Sequence, residues 1–111
     1  MKDLIIYLLG KSPFEFRSIE TYLDLAEMQS AAGTDVGVVI LHGAVLIARK
    51  GNKLEERLKK LADAGAKIYI RKEDLDARAI NGKSITSFGK TVDTVEIVNL
   101  AAKSDTLVSV I

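Results

Sequence analysis

The 111-residue sequence contains no cysteine and a single histidine, His42. The first absence excludes disulfides, thiolate metal sites and any persulfide carried on this chain, because sulfur transfer needs a thiolate that attacks another sulfur. The second excludes a histidine-rich metal centre. No apolar run approaches the ~20 residues of a membrane-spanning helix. The early run at residues 4–9 lacks the flanks of a signal peptide, so a cytoplasmic protein that does not enter the membrane is expected. A strong charge imbalance is also missing: 16 basic residues against 15 acidic ones leave a formal net charge of +1. No global field therefore draws the chain to nucleic acid, and no direct nucleic-acid contact is expected. Repeats, linkers and low-complexity segments are absent as well.

What is present reads as a folded α/β chain. Hydrophobic residues make up 48% and charged residues 28%, a composition ordinary for a globular protein and a length suited to one domain over residues 1–111. Residues 4–9 form a continuous apolar run closed by Gly10 and Pro13, as a strand buried on both faces would be. Ser18 suits a helix N-cap, followed by Ile19, Tyr22, Leu23 and Ala26 at helical spacing and a stop at Gly33. Residues 36–41 repeat the buried-strand pattern. Leu54, Leu58, Leu61 and Ala62 then mark one face of a second helix ending at Gly65.

Residues 68–70 form a third strand, and residues 73–79 a short helical segment closed by Asn81-Gly82. The polar stretch 83–90 reads as a mobile loop. Thr91 or Asp93 caps a closing helix in which Val95, Val98 and Ala102 share a face, and residues 107–111 end as an edge strand. Strands separated by helices of this length imply a mostly parallel sheet with helices on both faces, in three layers.

In such folds ligands bind beyond the carboxyl ends of the strands, where loops converge. That singles out Lys11, Ser12, His42, Gly43 and Arg78. Gly10-Lys11-Ser12 imitates the end of a phosphate-binding loop, but the position of the first required glycine is Ile5, within the strand, and Pro13 removes a backbone donor. A lysine and serine in a strand-to-helix turn is the simpler reading. His42 could act as an acid or base, contact a ligand or a partner, or simply occupy a loop. Catalysis would need an orienting carboxylate that sequence order cannot supply. Tyr22 lies on the apolar stripe of the first helix and is expected to pack. Asp76 shares the short helical segment with Asp74 and Arg78; the latter two are four apart and able to form a surface pair.

Three ordered segments carry a family resemblance: residues 11–14 with 18–23; residues 36–41 running into His42-Gly43-Ala44-Val45 and Lys50-Gly51-Asn52; and residues 67–70 running into residues 73–78, with 92–111 closing the chain. Together they resemble the DsrH/TusB family of sulfur-relay subunits, within the DsrE-like superfamily. The resemblance implies a DsrE-like fold and a non-catalytic, assembly-forming subunit with no cofactor. The sulfur would travel on cysteine-bearing DsrE-like partner subunits, toward tRNA wobble-uridine thiolation or sulfur oxidation. Some family members have their cysteine where Tyr22 stands. An acidic residue, in an Asp-Gly-Val pattern, is usual where His42 stands. In Ala77-Arg78-Ala79 the arginine is kept, whereas the family's following glycine, attributable to a close approach between subunits, is lost. An aromatic residue is usual where Ile111 stands.

Two further readings remain open on the residues alone: a small-ligand or anion-binding protein using Lys11 and His42, and a purely structural homo-oligomer. A mean hydropathy of +0.15 is high for so short a chain, which buries only about two-thirds of its unfolded surface on folding. Apolar surface left outside is expected to be covered by association.

Overall fold

The computed structural model describes residues 3–11 and 19–111. Ser12, Pro13 and the Ser18 cap lie outside them. Five parallel strands form one sheet: β1 (Leu4–Leu9), β2 (Asp35–Ile40), β3 (Lys67–Arg71), β4 (Gly89–Val92) and β5 (Thr106–Val110), in the order β4-β3-β2-β1-β5. The helices α1 (Ile19–Ala31), α2 (Glu55–Asp63), α3 (Lys72–Ala77) and α4 (Thr94–Lys103) follow β1, β2, β3 and β4 in turn, and a 3-10 helix, His42–Ala48, precedes α2.

Apolar runs become central strands because both of their faces are covered. Alternate residues of β1 point in opposite directions. Tyr7 and Leu9 join Val38, Ile40, Leu23, Leu58 and Leu61 in the larger core. Ile6 joins Val39, Leu41, Val92 and Ile97 in the smaller one. The sheet therefore carries helices on both faces, but unequally. The larger core is built with α1, α2 and the 3-10 helix, while the smaller one draws its helical residues, Ile97 and Leu100, from α4.

An ion pair between Arg57 and Asp24 ties α2 to α1, and Ser30 Oγ donates to the Ala64 carbonyl at 3.0 Å. Helix α2 ends at Gly65 with φ of 105°, a left-handed position that glycine takes without Cβ strain.

One expectation needs correction. Residues 83–90 are not a loose loop. The Lys50 N–H donates to the Ser84 carbonyl at 2.7 Å and the Thr86 N–H to the Ala48 carbonyl at 2.8 Å, around an antiparallel bridge between Arg49 and Ile85. Ile85 and Thr86 are buried, and the stretch runs into β4, which pairs with β3 from Ile68↔Gly89 to Arg71↔Val92. β4 carries little apolar signature because it is an edge strand in which only Val92 is buried. Helix α4 forms where the pattern places it. Asp93 caps it by accepting from the Glu96 N–H at 2.8 Å, yet Ile97 and Leu100 face the sheet, and the Val95 and Val98 face points outward, 67% and 59% exposed.

Candidate functional site: the carboxyl rim of the sheet

The loops after β1, β2 and β3 and the residue after β5 meet at one end of the sheet. β1 lies between β2 and β5, which fixes the neighbours. A Cβ on Gly10 would stand 3.2 Å from Ile111 Cγ2 and 3.4 Å from His42 Cδ2. Glycine at position 10 therefore lets the β2 loop and the chain segment after β5 close over the end of β1, with Lys11 next along the rim.

The centre of the arrangement is Asp74, only 7% exposed. Its Oδ2 accepts from the His42 backbone N–H at 2.7 Å and from Arg71 Nη1 at 3.1 Å; its Oδ1 stands 3.5 Å from Arg78 Nη1. Arg78 Nη1 also reaches the Asp74 carbonyl at 3.3 Å. Burial alone would raise the Asp74 carboxyl pKa, but the His42 N–H bond and the Arg71 guanidinium outweigh it and hold the group below the usual carboxylate range. Arg71 extends the network outward, its Nε and Nη2 donating to Thr94 Oγ1 at 3.1 and 3.0 Å. Thr94 Oγ1 donates in turn to Glu73 at 2.8 Å, and this bond, with further N–H bonds, lowers the Glu73 pKa. The base of α4 is thus tied to the start of α3.

His42 is exposed, with φ of 50°. A non-glycine residue in the left-handed region costs of order 1–3 kcal/mol and persists when its surroundings hold it. Here Asp74 holds the backbone N–H. The same bond bears on chemistry: the carboxylate orients the main chain, and the imidazole makes no hydrogen bond among the described residues. A base held by a neighbouring acid, the minimum for acid–base catalysis, is not assembled at this position.

Of the remaining singled-out residues, Gly43 is half-buried in the first turn of the 3-10 helix. Asp76 is exposed on α3, and its carboxylate joins no ion pair among the described residues, whereas its backbone carbonyl accepts from the Ala79 N–H. Tyr22 lies in the first turn of α1, half-buried against the larger core. Ser12 is outside the described residues. Asp74 itself was legible only as half of a surface pair. The structure buries that carboxylate between two arginines and a main-chain donor, and the positions of Arg71 and Arg78, three before and four after it, were the available signal. Among the described residues no cluster of histidine and carboxylates could hold a metal ion, and no helix is long and apolar enough to cross a membrane.

Ala79 explains the family's glycine differently from a subunit contact. Its φ is 54°. The Ile80 N–H donates to the Leu75 carbonyl at 2.9 Å and the Ala79 N–H to the Asp76 carbonyl at 3.1 Å, the bond pair of a Schellman C-cap closing α3. Glycine belongs there because the cap requires a left-handed residue. Relief of the Cβ strain, about 1–2 kcal/mol, exceeds the unfolded-state entropy that glycine adds. Ala79→Gly is therefore expected to stabilise the protein by roughly 0.5–1 kcal/mol, read as an upward shift in a urea midpoint at unchanged slope.

Comparison with known proteins agrees with this architecture. The sequence profile of the DsrH-like protein family matches residues 11–107, almost the whole chain. The chain belongs to the DsrH-like family. In general terms it is a sulfur-relay subunit, from a family whose members work in complexes with partner subunits. Among functionally curated proteins none matches it in sequence. Several solved structures share the fold. The ychN protein of E. coli superposes with a TM-score of 0.88 at 18% identity, covering 99% of this chain and 100% of that one. MTH1491 of Methanobacterium thermoautotrophicum gives 0.78 at 12% identity, over 99% and 100% of the two chains. BT1422 of Bacteroides thetaiotaomicron gives 0.82 at 9%, over 97% and 95%. At such identities the likeness is one of fold, the DsrE-like α/β sheet.

Proposed function

We propose that this chain is a non-catalytic, assembly-forming subunit of a cytoplasmic sulfur-relay complex, in which the persulfide travels on the cysteine of a DsrE-like partner. The observation that carries the reading is the combination of a DsrH-like sequence over residues 11–107 with no cysteine anywhere in the chain. A family member without a thiol can contribute shape and contacts to sulfur transfer but cannot hold the sulfur. The outward apolar face of α4 and the exposed edge of β5 are surfaces suited to such contacts. The end use of the sulfur is tRNA wobble-uridine 2-thiolation or sulfur oxidation. A ligand-binding role for Lys11 and His42 has less support, since the rim carboxylate's hydrogen bond goes to the His42 main chain rather than to its ring.

The test is reconstitution with a cysteine desulfurase, labelled cysteine and a cysteine-bearing DsrE-like partner, followed by intact-mass measurement of each chain. Label is expected on the partner only, with this chain co-eluting at its unmodified mass. A sulfur adduct on this chain would refute the non-carrier role. Self-association with no affinity for the partner would leave a structural homo-oligomer as the better account.

A further inference from the structure

We propose that Arg49 and Arg78 form a binding site for a small tetrahedral oxyanion, a phosphate or an oxidised sulfur anion, beside the rim but distinct from the Asp74 network. The two arginines line one cavity of about 250 Å3 with Leu46, Asn81 and Ser84. None of the described residues lining it is acidic.

The guanidinium groups differ in their commitments from the other two arginines whose pairing the structure displays. Arg57 is paired with Asp24, and Arg71 with Asp74 and Glu73. Arg49 joins no ion pair among the described residues. Arg78 spends Nη1 on Asp74 and leaves Nε and Nη2 for another acceptor. Two cations on one cavity repel unless an anion lies between them, and a planar guanidinium presents paired N–H groups that match a tetrahedral oxyanion.

The frame beneath both side chains is rigid. The Arg49 backbone is held by its bridge to Ile85, flanked by the Lys50 to Ser84 and Thr86 to Ala48 hydrogen bonds. Arg78 is the C-cap of α3, with its N–H on the Leu75 carbonyl at 3.2 Å. Such fixed backbones reduce the ordering cost of binding. Asn81 Oδ1 accepts from the Lys83 N–H at 2.9 Å, so its amide N–H groups are available to donate. The bridge also brings Lys50 and Lys83, both exposed, to the same loops, which adds positive potential around the mouth. The cavity of about 250 Å3 has room for an inorganic oxyanion or a single terminal oxyanion group, and the arginine pair, not size, sets the preference.

The experiment follows the arginine side-chain N–H signals by NMR during titration of the full chain with inorganic phosphate, sulfate or thiosulfate, at ionic strength held constant with chloride. Saturable shifts at Arg49 and Arg78 are expected for at least one of these anions. Saturation by phosphate alone assigns a phosphoryl group, and saturation by sulfate or thiosulfate alone assigns a sulfur oxyanion. Arg49→Gln, on an exposed side chain that leaves the fold intact, is expected to weaken binding at least about tenfold, as is Arg78→Lys, which keeps the charge and loses the fork. Lys103→Gln, at the exposed end of α4 on the opposite face of the sheet, should leave it unchanged. Linear, non-saturating shifts with all three anions, or equal affinity in Arg49→Gln, would overturn the site. No partner protein enters the measurement, so its outcome is independent of the sulfur-relay reading.

Discussion

Replacing Asp74 by alanine is expected to lower stability at pH 7 by roughly 2–3 kcal/mol, with a Tm about 10 °C or more below that of the parent chain. The carboxylate is buried, and its removal leaves the His42 N–H without its acceptor and two guanidinium groups without their shared counter-charge. Loss of one member of a fully buried pair costs about 3–5 kcal/mol; Arg71 and Arg78 here are 25% and 36% exposed, and solvent screening reduces the figure. Asp74→Asn keeps an oxygen for the His42 N–H and removes only the charge, so it should fall between the parent and the alanine variant.

The effect has a pH signature. The folded-state pKa of Asp74 is depressed, so its contribution is fully present above the unfolded carboxyl value of about 3.9 and is lost as pH falls through the lower folded value. The difference between parent and Asp74→Asn should therefore be constant from pH 7 to about pH 5 and shrink below about pH 4. Urea unfolding at several pH values measures it. A difference that persists undiminished at pH 2 would show that the charge network is not what Asp74 contributes. Asp76→Asn, on an exposed side chain of the same helix, should change stability by no more than about 0.5 kcal/mol.

A charge placed on the outer face of α4 is expected to raise the dissociation constant of this subunit's assemblies at least about 100-fold while leaving the isolated chain's Tm nearly unchanged. Val95 and Val98 are three residues apart, 67% and 59% exposed, and make no part of either core. If this face meets another subunit, Val98→Glu would bury an unpaired carboxylate, and a loss of about 3 kcal/mol of association is slightly more than a 100-fold change. Surface substitutions away from the core leave folding within about 0.5 kcal/mol. Sedimentation equilibrium across a wide concentration range, with and without the cysteine-bearing partner, reads the result. Unchanged association by Val98→Glu and by the double variant Val95→Glu/Val98→Glu would remove α4 from the interface and turn attention to the β5 edge, where Leu107 is also exposed.

Legibility from sequence followed burial. β1, β2 and α2 announce themselves because a strand covered on both faces must be continuously apolar, and a helix on a sheet must repeat its apolar residues at helical spacing. The ordered segments around Lys11, His42 and Arg78 were enough to identify the family, and the family match over residues 11–107 agrees. β4 was not legible. Gly89, Lys90 and Thr91 form a strand because the β3 edge offers them hydrogen bonds, an attraction that lies in the partner strand.

The zero cysteine count settles, without coordinates, that no persulfide forms on this chain, because that chemistry depends on an atom type and not on a shape. The alternation of apolar runs and helical stripes likewise determines a layered α/β sheet. The rest is decided by contacts between distant segments. Asp74 and His42 are 32 positions apart, and only the adjacency of β2 and β3 turns an ordinary acidic residue into a buried, main-chain-binding carboxylate. Which face of α4 meets the sheet is likewise a matter of packing. Val95 and Val98 are as apolar as Ile97, and nothing local distinguishes the two sides until packing settles Ile97 and Leu100 against Ile6 and Val39. Local patterns report the average burial of a segment; the identity of each residue's neighbours, and so its charge state, its strain and its access to a partner, exists only once the chain has folded.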